Sequence, residues 1–477
     1  MSEPRVAYAV AAHCLAPALV EGLTNVSDVP TAPCFGVFVT VRRSVPSRKW
    51  PHDVHGCRGY WCPEFCGLTA PDLLHHALAV GKSAMFEDSR RTFFDDIRTD
   101  GAAVLDVSFM QLPVVEIDAG SGRLRDDART SFDNTFFGVI MVAADGTRRA
   151  TYLPGVYGSA TSWKSIRDSV SKKAAGGGTA VLGSDDGAAR YYAYRTAVRS
   201  MQLLELLYAP ETTRTLVSAF CQTLLDGYRA TRFVPYAVTN KGTFTVDSDS
   251  DVRNVSTVVA GLAFNRAVFK SASLRDFLNK DASAFRDHVD DLSDQALAFL
   301  MPVLGVGRAA ACQRLAKRLP DAEQVFERGE LSRALALYCN TVHGMQVRAA
   351  SQLTSVFQWN WESQALAASR ALHGDVRTSY GRWVLHWFSG LAVQHQETNN
   401  LAVFLESVGL YIASANDDDD DEDENIQANL TSAALRAFLE LLTRWHHGIF
   451  FFHNGSSARM DITVHVLNGV TGRVNAK

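Results

Sequence analysis

The chain has 477 residues, of which 47% are hydrophobic and 21% are charged, a composition typical of soluble globular proteins. This length exceeds what one hydrophobic core usually organises, so we expect two domains. The formal net charge of −4 includes the acidic run at residues 417–424, and no stretch clusters lysine and arginine as a nucleic-acid footprint requires. These bulk properties argue against a nucleic-acid-binding protein.

The cysteines and the apolar runs bear on the cellular compartment. Eight cysteines are too few for a disulfide scaffold, and Cys221, Cys312 and Cys339 lie in apolar, helix-like stretches where a thiol packs as a small hydrophobe. We therefore expect reduced cysteines and a cytoplasmic or nuclear location. The first residues imitate a signal peptide, but Glu3 and His13 interrupt its pattern. Elsewhere no run approaches the roughly 20 apolar residues of a membrane span, so no membrane association is expected.

Alternating hydrophobic residues predict β-strands up to about residue 200. The segments GVFVTVRR (residues 36–43) and LDVSFMQL (residues 105–112) place apolar side chains at every second position. Residues 136–154 predict a hairpin, with Asp145 and Gly146 at a turn that needs a positive φ.

Helix signals lie between these strands. Thr69 followed by Asp72 three residues later is typical of a capping box, and a second helix is predicted to begin near Ser162. A last strand is predicted at residues 189–196. Mixed strands and helices with hairpin connections predict that residues 1–200 form an α+β domain, with an antiparallel-rich sheet and flanking helices.

Residues 205–477 are predicted to form an all-helical domain. Two stretches, residues 251–264 and 397–411, each begin with an acidic residue, carry an Asn three positions later and continue as a nearly all-apolar helix. Helices of this kind belong inside a protein, and their short polar entries suggest helical hairpins in layers, as in an (α/α) toroid. Irregular helix packing explains two such matches nearly as well. The acidic segment 416–425 is predicted to be a disordered surface loop.

The stretch VHGCRGYWCPEFC, residues 54–66, concentrates three cysteines. A structural zinc site normally uses closely paired ligands and a second pair further along the chain. The spacing of Cys57, Cys62 and Cys66 lacks this pattern, so we predict no metal and no cofactor, and we expect Cys62 and Cys66 to be structural.

Cys57 is the candidate for chemistry. Gly56 and Gly59 bracket it, which predicts a backbone turn that brings the thiol close to a cleft. Arg58 beside the thiol would favour the reactive thiolate. The alternative is that Cys57 is a plain core residue, because free cysteine is among the most buried residue types.

An ordered series of segments between residues 5 and 200 resembles the AMMECR domain family. The segments are GVFVTVRR, HGCRGYW, LLHHALAVGKSAMFEDSR, LDVSFMQLPVVEI, TRRATYLPGVYGSATSWKSIRDSVSKKA and RYYAYR. The family's hallmark reads Leu-Arg-Gly-Cys-Ile-Gly. This chain keeps its two glycines and its cysteine, and it differs at the other three positions, Val54, His55 and Arg58.

The resemblance implies an α+β fold with a cleft beside the hallmark, and it makes residues 54–59 the focal site. The candidate catalytic residues are Cys57, His55 and Arg58. Residues 86–90 and 150–154 also match the family well. The candidate ligand-binding residues from all matching segments are Gly56, Gly59, Asp88, Arg90, Tyr152 and Pro154.

Two functions compete. The chain is either an enzyme-like protein that binds or modifies a small molecule beside residues 54–59, or a scaffold that binds a protein through its helical half. An enzyme should have a deep pocket with convergent polar groups and a perturbed titratable residue. A scaffold should expose an apolar patch larger than roughly a few hundred Å². The expected partner is therefore a small molecule or a protein, and neither a nucleic acid nor a membrane.

Overall fold

The computed structural model describes most of the chain. The described part comprises residues 5–19, 26–42, 54–88, 103–127, 129–157, 161–176, 189–247, 249, 251–322, 324–339, 355–368, 372, 374–413, 421–452 and 455–471. The chain divides into two compact units. The first unit is Met1–Ile97 with Ala102–Leu203, and the second, called the helical unit here, is Arg98–Gly101 with Leu204–Lys477.

In the first unit, six strands within the described residues form one antiparallel sheet in the order β2-β1-β3-β6-β4-β5. The strands are β1 Cys34–Arg42, β2 Val54–Trp61, β3 Val104–Ile117, β4 Gly138–Val142, β5 Arg149–Tyr152 and β6 Arg190–Gln202. The sheet is curled, so its two edge strands approach each other. Arg149 of β5 lies 5.9 Å from the ring centroid of Trp61 of β2. Aromatic and aliphatic side chains fill the space that the curl encloses.

Three helices of the described residues flank this sheet: α1 Val6–Leu15, α2 Ala70–Phe86 and α3 Trp163–Ala174. Thr69 and Asp72 form the predicted capping box at the start of α2, and Ser162 caps α3 through the backbone N–H of Ser165. The predicted hairpin joins β4 to β5, and Gly146 adopts a φ of 70° in its turn. The prediction of an α+β domain with an antiparallel sheet is confirmed.

The second unit is mostly helical, as predicted. Its helices in the described residues are α4 Glu205–Tyr208, α5 Pro210–Thr231, α6 Asp251–Phe264, α7 Ala272–Asp287, α8 Asp294–Leu300, α9 Arg308–Arg318, α10 Val325–Tyr338, α11 Val356–Ala368, α12 Gly374–Ser389, α13 Thr398–Ala413, α14 Asp421–Leu442 and α15 Met460–Thr471. Within the described part of the chain, no helix has both the length and the hydropathy needed to cross a bilayer. The arrangement as an (α/α) toroid stays a prediction.

Short strands in the helical unit were not predicted. They are β7 Ala237–Thr239, β8 Phe244–Thr245, β9 Trp445–His446, β10 Ile449–Phe450 and β11 Ser457–Arg459. They pair as β11-β7-β8 and as β10-β9. Strands of two or three residues are too short to show an alternating hydrophobic pattern, which explains why the sequence did not reveal them.

Helix α13 lies in the interior of the helical unit, as its apolar sequence predicts. It packs against α11, α14 and α15, and nearly all its residues from Leu401 to Gly409 are buried. Gly409 and Gly469 let α13 and α15 touch, because a Cβ on Gly409 would lie 2.7 Å from the carbonyl oxygen of Gly469. This close approach places polar side chains of the two helices within hydrogen-bonding distance.

The prediction of a loop over residues 416–425 is wrong for its second part. Helix α14 begins at Asp421, so residues 421–425 are helical, and residues 416–420 lie outside the described residues. Acidic residues are favoured in the first turn of a helix, because they complement its unpaired N–H groups and its dipole. A charge run therefore does not by itself distinguish a loop from the start of a helix.

The expectation of reduced cysteines is corrected at two pairs. Cys62 is bonded to Cys66, and Cys312 is bonded to Cys339. The second pair forms because α9 packs against α10, which brings together residues separated by 27 positions. That contact is tertiary, so the sequence gives no sign of it. The cytoplasmic or nuclear location stays a prediction.

Candidate functional site

Residues 54–59 do not form the predicted turn. They lie in β2, an edge strand that pairs with β1, and neither Gly56 nor Gly59 adopts a positive φ. Both glycines allow close packing instead. A Cβ on Gly56 would clash with the carbonyl oxygen of Ala84 in α2, and a Cβ on Gly59 would clash with the ring of Phe38. The prediction of a turn is wrong, because paired glycines mark a close approach of backbone as well as a turn.

Cys57 is half-buried and its neighbours are engaged in the fold. The hydroxyl of Thr40 donates to Cys57 Sγ at 3.1 Å, and the backbone N–H of Cys57 donates to Asp88 Oδ2 at 3.1 Å. Arg58 points to the same carboxylate, with 3.9 Å between Nε and Oδ2, and donates to the carbonyl of Glu87 at 3.3 Å. Asp88 therefore joins β2 to the end of α2, and the charge of Arg58 lies with that carboxylate.

Tyr194 of β6 connects the Cys57 region with β5. Its hydroxyl donates to the carbonyl oxygen of Tyr152 at 3.0 Å. Burial is the main cause that raises the pKa of the Tyr194 phenol, and the nearby Cys57 raises it further. The phenol of Tyr152 itself is hydrogen-bonded to Ser169 at 3.2 Å. The curled sheet thus brings Cys57 close to Tyr194, whereas the side chain of Tyr152 points to α3.

The remaining predicted residues of this region have separate positions. His55 is buried in β2, and Pro154 lies in the turn that follows β5. Arg90 lies outside the described residues. The role of residues 54–59 as a ligand site stays a prediction.

A larger set of convergent polar groups lies in the helical unit, around a cavity of about 560 Å³. Its described wall comes from α6, α8, α10, α11, α13 and α15. The volume is in the range of about 300–1,000 Å³ that is usual for small-molecule sites. The two look-alike stretches of the sequence, α6 and α13, both contribute to the wall. In α13, Asn399, Val403 and Glu406 do so at spacings of four and three residues, which share one helix face.

An ion pair between the partly buried His465 and the buried Glu406 joins α15 to α13 in this wall. His465 Nδ1 lies 2.7 Å from Glu406 Oε2, Asn468 donates to Glu406 Oε1 at 2.7 Å, and Asn360 donates to Oε2 at 3.3 Å. Burial alone would raise the pKa of Glu406, but His465 and the hydrogen bonds hold that pKa below its usual value. Burial would lower the pKa of His465, but Glu406 reverses the effect and raises it. The contact therefore favours the charged form of each group.

A second pair, Glu330 and Arg333, lies one turn apart on α10. Glu330 Oε2 is 3.4 Å from Arg333 Nη1, and both side chains are buried. Burial raises the pKa of Glu330 to about 7, with Arg333 opposing this effect and Glu406 adding to it. Near neutral pH, Glu330 is thus divided between its protonated and its ionised form.

Two atoms of this pair have no hydrogen-bond partner in the described structure. They are Glu330 Oε1 and Arg333 Nη2, and both are shielded from solvent. An unpaired buried polar atom costs free energy, so such atoms are rare away from functional sites. Here they belong to residues that line a cavity, although the two atoms themselves are not exposed to it.

The charges near Asp461 are paired with one another. Asp461 accepts two hydrogen bonds from Arg459, at 3.0 and 2.8 Å, and lies 3.9 Å from Arg253 Nε. Arg253 also donates to the hydroxyl of Tyr236 at 2.7 Å. This part of the wall is therefore electrostatically satisfied without a ligand.

Sequence patterns did not predict this site. A signal was present at Glu406 and His465, each a single titratable residue inside an apolar helical stretch, whereas Glu330 and Arg333 lie in the charge-rich segment 327–333. Charged residues are seldom fully buried unless they are paired, so a lone charge in an apolar helix indicates a buried partner or a ligand.

Comparisons with known proteins add little to this geometry. No protein-family model matches the chain, and no curated protein matches it. Among solved structures, an uncharacterized protein from Pyrococcus horikoshii is similar over 42% of this chain and 94% of its own, with 15% sequence identity and a TM-score of 0.27. A similarity this weak supports no conclusion, so the candidate site rests on its own contacts.

Proposed function

We propose that the protein binds a small organic molecule in the cavity of the helical unit. The observation that carries the proposal is the cavity of about 560 Å³, whose wall gathers charged side chains from three helices: Glu330, Arg333, Glu406 and His465. Apolar walls, a few convergent polar groups and a titratable residue with a shifted pKa are the features typical of ligand sites.

Glu330 is also the group best suited to chemistry on a bound molecule. A carboxyl with a pKa of about 7 exchanges protons readily at neutral pH, which is what general acid or base catalysis requires. If the protein is an enzyme, we propose that Glu330 transfers the proton and that the Glu406–His465 pair holds its charge environment.

This proposal moves the predicted site from residues 54–59 to the helical unit. We keep the AMMECR resemblance as a proposal for residues 5–200. The curled antiparallel sheet with flanking helices agrees with the fold that the resemblance implies. The scaffold function stays the alternative, and it would leave the cavity without a ligand.

A cavity-filling variant tests the proposal. Ala260 of α6 is half-buried and lines the cavity, so Ala260→Trp should place an indole inside it. The matched control is Ala310→Trp, on an exposed position of α9. The two variants and the wild type are screened by thermal shift against neutral heterocycles, carboxylates, phosphates, amines, nucleotides and S-adenosylmethionine.

We expect some compounds to raise the Tm of the wild type and of Ala310→Trp but not that of Ala260→Trp. A ligand at 100 times its Kd stabilises by about 2.7 kcal/mol, which corresponds to roughly 5–10 °C for a unit of this size. Compounds that stabilise all three proteins equally would place the site elsewhere. A screen without any stabilising compound would refute the proposed function.

A further inference from the structure

We infer that the cavity binds an aromatic carboxylate, whose carboxylate group accepts a hydrogen bond from Nε2 of His465. This inference rests on the proposed function and adds the chemical class of the ligand. It follows from the atom that His465 presents to the cavity, from the exposed fractions of the charged side chains and from the aromatic wall beside them.

The first step concerns the two ring nitrogens of His465. Nδ1 lies 2.7 Å from Glu406 Oε2, so that carboxylate occupies one side of the ring. Within the described structure, Nε2 has no hydrogen-bond partner and is not shielded from solvent. The His465 side chain lines the cavity and is 19% exposed. Nε2 is therefore the polar atom that this ion pair offers to a ligand.

The second step concerns the proton on Nε2. When Nδ1–H donates to Glu406, Nε2 is an acceptor in the neutral ring and a donor in the charged ring. Burial would lower the pKa of His465, but Glu406 outweighs burial and raises this pKa, and Asp461 and Glu330 act in the same direction as Glu406. The ring thus keeps a donor at Nε2 to a higher pH than an ordinary histidine does. A charged donor forms its strongest hydrogen bonds with an anion.

The third step concerns the charges that a ligand meets. In the ion pairs of this part of the wall, the cation is more exposed than the carboxylate. The exposed fractions are 19% for His465 against 5% for Glu406, and 43% for Arg253 and 21% for Arg459 against 11% for Asp461. A ligand therefore lies closer to the cations than to their partners, which favours an anion.

The other carboxylates of the wall do not offset this preference. Glu330 is only 1% exposed, and the carboxylate of Asp251 accepts from the backbone N–H groups of Val252 and Ser293, at 2.6 and 2.9 Å. Asp249 lies at an exposed position before α6, where water and salt screen its charge.

The fourth step concerns the body of the ligand. The ring of Trp361 meets His465 and Phe299 edge to face, with 6.2 and 6.3 Å between the centroids. All three residues line the cavity, and aromatic side chains pack well against a flat ring. A flat apolar ligand on Trp361 and Phe299 thus has its anionic group next to His465. A single N–H suits the single charge of a carboxylate, whereas proteins usually hold a phosphate with several donors.

The test is an NMR titration of the full chain with four naphthalenes that differ in one group. They are 1-naphthoate, the neutral 1-naphthamide, the cationic 1-naphthylmethylamine and the phosphate ester 1-naphthyl phosphate. The protein variants are His465→Gln and its matched control His446→Gln, at an exposed histidine of the same unit. Ala260→Trp reports whether binding takes place in the cavity.

We expect 1-naphthoate to bind the wild type about ten- to hundredfold more tightly than 1-naphthamide, because only the carboxylate is an ionised acceptor for His465. This preference should persist in His446→Gln and vanish in His465→Gln, and Ala260→Trp should bind neither compound. The comparison of the two ligands on the wild type keeps the test valid even if His465→Gln does not fold.

Three results would overturn the inference while the cavity stays a binding site. The first is binding of the amide, the amine or the phosphate ester as tight as that of 1-naphthoate and sensitive to Ala260→Trp. The second is a preference for 1-naphthoate that survives in a folded His465→Gln. The third is that no naphthalene binds, but another screened compound stabilises in an Ala260→Trp-sensitive manner. If no compound of any class stabilises the wild type, the proposed function fails together with the inference.

Discussion

Glu406→Ala is expected to lower the free energy of unfolding of the helical unit by at most about 3–5 kcal/mol, because removing the buried Glu406 leaves the partly buried His465 without its partner. His465 would lose its 2.7 Å contact, and Asn468 and Asn360 would lose the acceptor for their N–H groups. Urea denaturation of the full chain, followed by circular dichroism at 222 nm, measures this loss.

The control for this change is Glu397→Ala, at an exposed position just before α13, where the loss should stay below about 1 kcal/mol. If the two variants lose the same small amount, Glu406 and His465 do not form the pair described here.

The destabilisation by Glu406→Ala should depend on pH. The folded pKa of Glu406 is lowered, so its contribution is present above its unfolded pKa and is lost as the pH falls through the folded value. The folded pKa of His465 is raised, so its contribution is present below the unfolded value of 6.5 and is lost as the pH rises through the folded value. The difference between wild type and variant should therefore be largest from mildly acidic to neutral pH.

The wild type is expected to lose stability as the pH rises, and Glu330→Gln is expected to abolish this loss. The pKa of Glu330 is about 7 in the folded chain against an ordinary value of 4.5, so the folded state holds this proton more tightly than the unfolded state does. Raising the pH from 4.5 through 7 then costs the wild type about 3 kcal/mol, at about 1.4 kcal/mol per pH unit.

Urea denaturation of wild type and variant at pH 4.5 and pH 8 measures this difference. Relative to the wild type, Glu330→Gln should gain about 3 kcal/mol between the two pH values. The control is Glu327→Gln, three residues earlier on the same helix, where Glu327 pairs with Arg318, and its stability should follow that of the wild type. Parallel pH profiles for Glu330→Gln and wild type would mean that Glu330 titrates as an ordinary carboxyl.

Local signals in the sequence predicted much of the fold. Thr69 and Asp72 marked the start of α2, Asp145 and Gly146 marked the β4–β5 turn, and the apolar stretch of α13 indicated an interior helix. Each of these features depends on residues that are close in sequence, so the pattern and its physical cause lie in the same segment.

The features that the sequence did not predict depend on tertiary contacts. Gly56 marks the close approach of β2 to the carbonyl of Ala84 rather than a turn, and only the packing of α2 on the sheet decides between them. The bond between Cys312 and Cys339 likewise requires α9 to lie against α10. No periodicity in either segment reports these neighbours.

The candidate site escaped prediction for the same reason. Glu330, Glu406 and His465 come from three helices that are far apart in the chain, and each alone is an ordinary charged residue. The thiol of Cys57 drew the prediction to residues 54–59, because a cysteine between two glycines is a visible local motif. A buried charge network is visible only after the helices that carry it are packed together.

The central claim is that a small molecule binds in the helical unit and not beside β2. Hydrogen–deuterium exchange of the full chain, with and without the tightest-binding compound of the screen, tests this claim most directly. Our account predicts that the compound slows exchange in the peptides of α10, α13 and α15 that contain Glu330, Glu406 and His465, and leaves Val54–Trp61 unchanged. Slower exchange in Val54–Trp61 and at the end of α2, with the three helices unchanged, would contradict it.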